Sequence, residues 1–496
     1  MLNIYFTSLS KSYKILSYNL RKKFVLTQFL VLFTSLVDLF GFAVFIPVFS
    51  IIFNPSVLNT NLFFLNIRTF LNFHNDDYFQ IFLLLSALFV FFLRSIFIIY
   101  SLKIQKKFTL IISEYIGHRL YNYYLNLDFL SFSKLDQSHI LRELTISPSN
   151  FSKHIINPLL LLISEILIIL FIVIAMAIYD FKAFVLIFIT LIPSAFFFQK
   201  LVKKRIKDVG EKMNELSPFF YENSLRGVYG FSDVKLRNKE KKIINDYDMT
   251  LAKLNNHGLI SSILNILPSK LFELIAVIGI VIIFLYSKFI LYDSLSSVKL
   301  ISIYLAASYK VIPSLSKLIP SLMSLEQYSY LFSVYKLPFS EPESIFNSFD
   351  KKFKIDNFLL IDKISFSHND KPIFDNFSLK INKGEMLGII GKSGVGKTTL
   401  INIITGLIHP EKGSLKVDST SIDKSNIKKW QLNVAYVKQE PYLERGSLID
   451  NIAFLDDEYD IERVKIAASM ASLEDLINGN DLQDIKIEEF GKNLSA

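Results

Sequence analysis

Long apolar runs alternate with basic, helically patterned stretches through the first two thirds of the chain. Six of the runs reach the length of a membrane span, which takes about 20 residues as a helix. They fall near Phe24–Phe53, Tyr78–Leu102, Ile155–Tyr179, Ala183–Leu201, Ile260–Tyr286 and Leu300–Leu322. Two long connections separate the second run from the third and the fourth from the fifth. Both keep a helical period, as in Phe108–Leu127 and Glu211–Asn223. Long loops without structure of their own are uncommon, so these stretches are expected to carry membrane helices onward into solution. The first run follows Arg21, Lys22 and Lys23, as the h-region of a signal peptide would. It is too long for an h-region, and Phe53-Asn54-Pro55 stands where small residues would mark cleavage.

From about Asn357 the pattern changes to short strand-like runs: Phe358–Phe366, Phe377–Ile381 and Met386–Ile390. Turns punctuate them at Asn382-Lys383-Gly384 and at His409–Gly413. This is α/β patterning.

Composition agrees with a membrane protein. Of 496 residues, 51% are hydrophobic and 47 are Phe. There is no Cys, which excludes disulfides, thiolate catalysis and Cys-ligated metals, and the seven His show no ligand spacing. The net charge of +9 raises nucleic acid as a partner. The basic residues flank the apolar runs instead of forming a stripe, so no nucleic-acid partner is expected. Residues 1–23 hold five Lys and Arg and no acid. The connections from Lys103 to Lys153 and from Lys203 to Lys253 are also basic, whereas the loop after the first run has one Arg and two Asp. Both ends of the chain are therefore expected on the cytoplasmic side.

At Gly391 the sequence reads GKSGVGKT, matching G-x-x-x-x-G-K-S/T over Gly391, Lys392, Ser393, Gly394, Val395, Gly396, Lys397 and Thr398. The glycines let backbone N–H groups wrap phosphate oxygens. Lys397 adds a positive charge for the β- and γ-phosphates, and the Thr398 hydroxyl suits Mg²⁺. Thr399–Leu407 continues as a helix whose N-terminal dipole adds to the anion site. The expected fold is thus an α-helical membrane domain of six transmembrane helices, then a partial α/β P-loop NTPase domain.

The order of motifs resembles an ABC transporter of exporter type, with the membrane domain fused to its ATP-binding domain. His368, in Ser365-Phe366-Ser367-His368, stands where the family has an aromatic residue that stacks on adenine; a surface turn histidine is the alternative. Val434–Pro441 resembles the Q-loop, so Gln439 would reach the metal, and Ser447–Ile452 follows at the family's spacing. Glu488–Ser495 resembles the approach to the signature motif, with Glu489 as the acidic residue that senses the coupling helices. Asp128–Arg142 and Asn223–Arg237 resemble the segments that carry those helices. The resemblance implies ATP and Mg²⁺ as cofactors, with Thr398 and Gln439 near the metal. It also implies a second ABC subunit, in a homodimer or heterodimer, and a bacterial plasma membrane with the N-terminus and the ATP-binding domain cytoplasmic. The sequence ends at Ala496, before the signature glycines, the Walker B Asp, the catalytic Glu and the switch His of the family. No catalytic residue is assigned, and the sequence is expected to be a fragment or a truncated product, unable to turn over ATP. The expected domains are 1–325 for the membrane domain, 326–355 for a linker and 356–496 for an incomplete ATP-binding domain.

Charged residues stand inside the apolar runs: Asp38, Arg94, Glu165 and Glu273. Charges there are costly and face a bundle interior or cavity, or pair between helices. Lys310 and Lys317 are seven apart and share a helix face, with Pro313 between them; Lys270 follows Pro268 and precedes Glu273. This set, Lys270, Glu273, Lys310 and Lys317, resembles the basic lining of lipid-linked oligosaccharide flippases, although Lys stands where Arg would bind phosphate in bidentate fashion. Snorkelling lysines at the inner membrane surface are the alternative. The functions the resemblance implies are ATP-driven export or flipping of an amphiphile such as a lipid-linked glycan, export of peptides or drugs, or a nucleotide-binding subunit dead in hydrolysis.

Overall fold

The structure is a computed structural model. It describes residues 2–44, 62–73, 75–179, 181–286, 288–289, 294–340, 353–368, 371–439, 441–456, 458–477, 481–488 and 491–494. The chain divides into two compact units, Met1–Phe346 and Asn347–Ala496. Of the expected spans, the end of the first, from residue 45 on, lies outside the described residues, as do residues 341–352 of the expected linker.

The first unit is helical. Its principal helices are α1 (Leu2–Ile15), α2 (Tyr18–Ala43), α3 (Asp76–Asn126), α4 (Asn157–Tyr179), α5 (Phe181–Tyr229), α6 (Glu240–Tyr286) and α7 (Ser294–Gln327). Helix α3 begins where the Asn75 side chain accepts the Asp77 N–H at 2.8 Å, satisfying one of the open donors of the first turn. It then runs for 51 residues, and α5 and α6 for 49 and 47. At 1.5 Å per residue such helices are about 70–77 Å long, more than twice the hydrocarbon thickness of about 30 Å. The periodic stretches after the second and fourth apolar runs are thus continuations of the same helices, not loops. Four helices among the described residues are long and apolar enough to cross a membrane: Tyr18–Gly41, Asp77–Asn126, Ser147–Ile178 and Glu240–Leu285. The other two expected spans fall within α5 and α7.

Prolines sit inside three of the long helices, at Pro193, Pro218, Pro268, Pro313 and Pro320. Neighbouring helices make such breaks tolerable by supporting the freed backbone groups. Helix α5 packs on α6 and α7, α4 packs on α7, and α2 packs on α3. A continuous core joins them, with Ile112, Ile116, Phe151, Leu159, Ile206, Tyr304 and Ile319 fully buried. At one crossing a side chain is excluded: a Cβ on Gly210 of α5 would overlap the carbonyl of Gln327 at the end of α7. Gln327 in turn accepts from Ser261 of α6 at 3.0 Å. Gly210→Ala is therefore expected to push α5 from α7 and to lower stability by about 1–3 kcal/mol, as overpacking does. Thermal unfolding of the purified variant checks it; an unchanged midpoint would mean the helices part freely here.

The chain does not leave this bundle at the end of α7. Short helices at Leu331–Val334 and Lys336–Ser340 fold back onto it. Leu331 and Tyr335 are fully buried, and the Tyr335 ring meets Phe151 at 5.3 Å between centroids. The start of the expected linker is therefore packed into the helical unit.

The second unit holds a four-stranded antiparallel sheet in the order β2-β1-β3-β4: β1 (Phe358–His368), β2 (Lys371–Asn382), β3 (Lys412–Val417) and β4 (Thr420–Ile422). Asp418, in the β3–β4 turn, accepts the backbone N–H groups of Asp356, Asn357 and Phe358 at 2.8–2.9 Å and fixes the entry to β1. Those N–H groups hold its carboxyl below the usual carboxylate range. Alternating apolar residues of β1 and β3, Ile361, Ile364, Phe366, Leu415 and Val417, are buried. A smaller core gathers Ile449, Val464, Ala468 and Ile487.

One expected strand is corrected. Met386–Ile390 has no regular structure, and Met386 and Ile390 are 97% and 99% exposed. An apolar run becomes a strand only when a neighbour takes up its N–H and C=O groups, and no described strand pairs with it. Val434–Val437 is likewise irregular, with Val437 exposed.

Candidate functional site

Two places concentrate chemistry, one in each unit. In the second unit, Gly391–Gly396 is an exposed turn that leads into α8 (Lys397–Ile404). Gly394 and Gly396 take φ of +80° and +106°, values that favour glycine. A Cβ on Gly396 would also run into Ile373 and Phe374 of β2. Those two residues floor the loop, and no local sequence signal marks them. The first intrahelical bond of α8 runs from the Leu400 N–H to the Gly396 carbonyl at 2.8 Å. The N–H groups of Lys397, Thr398 and Thr399 therefore open the helix without an intrahelical acceptor, at its positive end. At the other end of α8 the Trp430 indole donates to the Ile404 carbonyl at 2.7 Å.

Lys397 is folded onto its own loop, donating to the Gly391 and Lys392 carbonyls at 2.8 and 2.9 Å. Its ammonium is thus held at the mouth of the turn with one donor left over. Glycine-enabled backbone, an open helix N-terminus and a centred ammonium are a donor set without a carboxylate, which fits a nucleotide phosphate chain. Thr398 is exposed at the same helix end, where its hydroxyl could hold a phosphate-bound Mg²⁺. His368 is exposed at the end of β1, and Gln439 is exposed in an irregular segment. Neither side chain hydrogen-bonds to the loop among the described residues. Glu489 lies outside them.

In the first unit, charges that the sequence scatters over four helices come together. Asp38 of α2 accepts from both Arg94 of α3 and Lys310 of α7. Two turns further along α7, Lys317 donates to Glu165 of α4 at 3.0 Å. Asp38, Arg94, Glu165, Lys310, Pro313 and Lys317 line one cavity of about 450 Å³. Lys270 and Glu273 do not. They lie one turn apart, pair with each other at 3.0 Å, and are exposed on α6. Of the polar residues flagged singly in the apolar runs, Asp38 and Glu165 are thus the partners of the two lysines, and Arg94 shares Asp38 with Lys310. The connections carry exposed apolar tips in two short helices, Phe129–Ser133 and Phe231–Leu236. The first is capped by Asp128, which accepts the Ser131 N–H at 2.9 Å.

Comparison with known proteins matches residues 374–496 to the family model described as ABC transporter. An ABC transporter ATP-binding/permease protein of Haemophilus influenzae is 31% identical over 136 residues, 27% of this chain and 25% of that protein. The lactococcin-G-processing and transport ATP-binding protein of Lactococcus lactis is 33% identical over 153 residues, 30% of this chain and 21% of its own. An ABC transporter ATP-binding protein of Streptococcus pneumoniae is 24% identical over 385 residues, which is 74% of this chain and 63% of that relative. The chain therefore spans a quarter or less of the first two relatives and just under two thirds of the third. Residues 374–496 thus match the ABC transporter family model, the rest of the same chain holds membrane-length helices, and an ABC transporter ATP-binding/permease protein is among the relatives.

Proposed function

We propose that this chain is a subunit of an ATP-driven exporter or flippase for an amphiphilic cargo. The observation that carries the reading is a phosphate cradle joined in one chain to a bundle of membrane-length helices with a charged interior cavity. The bundle crosses the membrane six times, through α2, α3, α4, α5, α6 and α7. The N-terminus and the nucleotide-binding unit lie on the cytoplasmic side, and a second ABC subunit completes the transporter. ATP binds with Mg²⁺ at Gly391–Thr399, and Gln439 and His368 approach the metal and the base. The short helices at Phe129–Ser133 and Phe231–Leu236 pass the motion of the nucleotide-binding units to the bundle. Lys310 and Lys317 offer positive charge to the cargo, which suits an anionic headgroup such as that of a lipid-linked glycan. Export of a peptide or drug is the second reading, favoured by the lactococcin-G-processing and transport protein and an Emericella nidulans multidrug transporter among the relatives.

The test is transport into proteoliposomes of the complete transporter, with glycolipid and peptide cargoes side by side. The Lys317→Gln variant is expected to slow glycolipid transport several-fold at undiminished ATP binding. If glycolipid transport stays at the parent rate, Lys317 is a surface anchor and the headgroup assignment is wrong.

A further inference from the structure

The two lysines of the cavity differ in what they have left to offer. Lys310 shares Asp38 with Arg94, and all three side chains are at most 22% exposed. That triad is internally paired and positions α2, α3 and α7. Lys317 is 59% exposed and spends one of its three donors on Glu165. It lines the cavity with its other N–H groups unspent among the described residues. Glu165 is the reverse case: its side chain is 5% exposed, and only one of its oxygens is paired. The second, Oε2, is buried without a hydrogen-bond partner, on a residue that lines the same cavity. A buried carboxylate oxygen left unpaired is costly. It calls for a donor, and a cationic one most of all. An anion alone would satisfy Lys317 and leave this oxygen open.

We infer that Glu165 and Lys317 form a subsite for a headgroup in which an ammonium lies beside an oxyanion. The headgroup lies antiparallel to the Lys317–Glu165 pair. Once the Glu165 carboxylate turns toward the cavity, the ammonium donates to its Oε2 and the oxyanion accepts from Lys317, so the four charges alternate around a ring. The other lining residues include Phe91, Ile168 and Tyr309, an apolar surround that fits a membrane amphiphile better than a free ion. This deepens the cavity reading and rests on it: the cargo class narrows from anionic to zwitterionic at this point of the bundle.

The experiment uses the full chain in nanodiscs and two short-chain probes, dihexanoyl phosphatidylethanolamine and its N-acetylated form. The second keeps the phosphate and loses the ammonium. Titration calorimetry is expected to show the ammonium-bearing probe binding at least about tenfold more tightly. Glu165→Gln should abolish that preference while the acetylated probe binds as before, and Lys317→Gln should weaken both probes. The exchanged pair Glu165→Lys with Lys317→Glu should restore the preference, and it guards against simple misfolding of a single variant. Equal binding of the two probes to the unaltered chain overturns the zwitterion subsite, and so does a preference that survives Glu165→Gln. In either case the cavity reading stands if Lys317→Gln still weakens the acetylated probe; if Lys317→Gln changes neither probe, the cavity reading falls as well.

Discussion

Lys397→Ala should weaken ATP binding by about tenfold or more. The Lys397 ammonium is centred on the Gly391–Gly396 turn, fastened to the Gly391 and Lys392 carbonyls. A bound triphosphate would draw it toward the β- and γ-oxygens. A hydrogen bond to a charged group is worth about 1.5–3 kcal/mol, and each 1.4 kcal/mol is about a factor of ten in affinity. Alanine also leaves the Gly391 carbonyl without its donor and the Lys392 carbonyl with the Val395 N–H alone, which loosens the turn before any ligand arrives. Titration with a fluorescent ATP analogue, with and without Mg²⁺, measures the effect. An unchanged dissociation constant would remove the cradle from the nucleotide site. The loss should exceed that of Thr398→Ala, which removes one neutral ligand near the metal.

The second large effect is expected at Asp38. This carboxylate is the only described partner between two cations, Arg94 and Lys310, drawn from different helices. Asp38→Asn leaves both positive charges facing each other across the bundle. Removing one partner of a fully buried ion pair costs about 3–5 kcal/mol; with these side chains 14–22% exposed, a cost of about 2–3 kcal/mol is expected. The thermal midpoint in detergent should drop by several degrees. Replacing Lys310 with Met in the same chain removes one of the orphaned cations, and at least half of the loss should return. A single variant as stable as its parent would show that water reaches all three groups and that the triad holds nothing together.

The sequence makes these two sites legible to different degrees. Gly391–Thr398 is a local motif whose chemistry depends on eight consecutive residues, so its turn and helix follow from the pattern. The cavity depends on contacts as far apart as Asp38 and Lys310. Apolar runs interrupted by charge say that Asp38, Arg94 and Glu165 need partners, not which ones. Lys270 and Glu273 illustrate the limit: they stand beside a proline as Lys310 does, yet their spacing of three lets them satisfy each other on one face. Met386–Ile390 misleads for a related reason. Apolar residues announce that a segment needs covering, and a strand forms only where another strand is there to cover it. The runs Phe358–Phe366 and Phe377–Ile381 are easier to read: they lie in β1 and β2, which pair along nearly their whole lengths.

The packing of Tyr335 changes how a force would travel through this chain. A load entering from the C-terminal side reaches Ser340 first. With Tyr335 wedged against Phe151 and Phe339 beside Tyr115, at 5.3 and 6.2 Å between centroids, that load meets an aromatic clamp before it reaches the last turn of α7. Pulled lengthwise, such a clamp is loaded in shear, with several contacts resisting at once. A bare helix end would instead unzip one hydrogen bond at a time. The strain is thus delivered sideways, into the Ser147–Ile156 segment and the long helix α3, and α7 is spared from fraying where it carries Lys310 and Lys317. The clamp makes Leu331–Ser340 part of the bundle, which should answer a pull on that segment by tilting as a body.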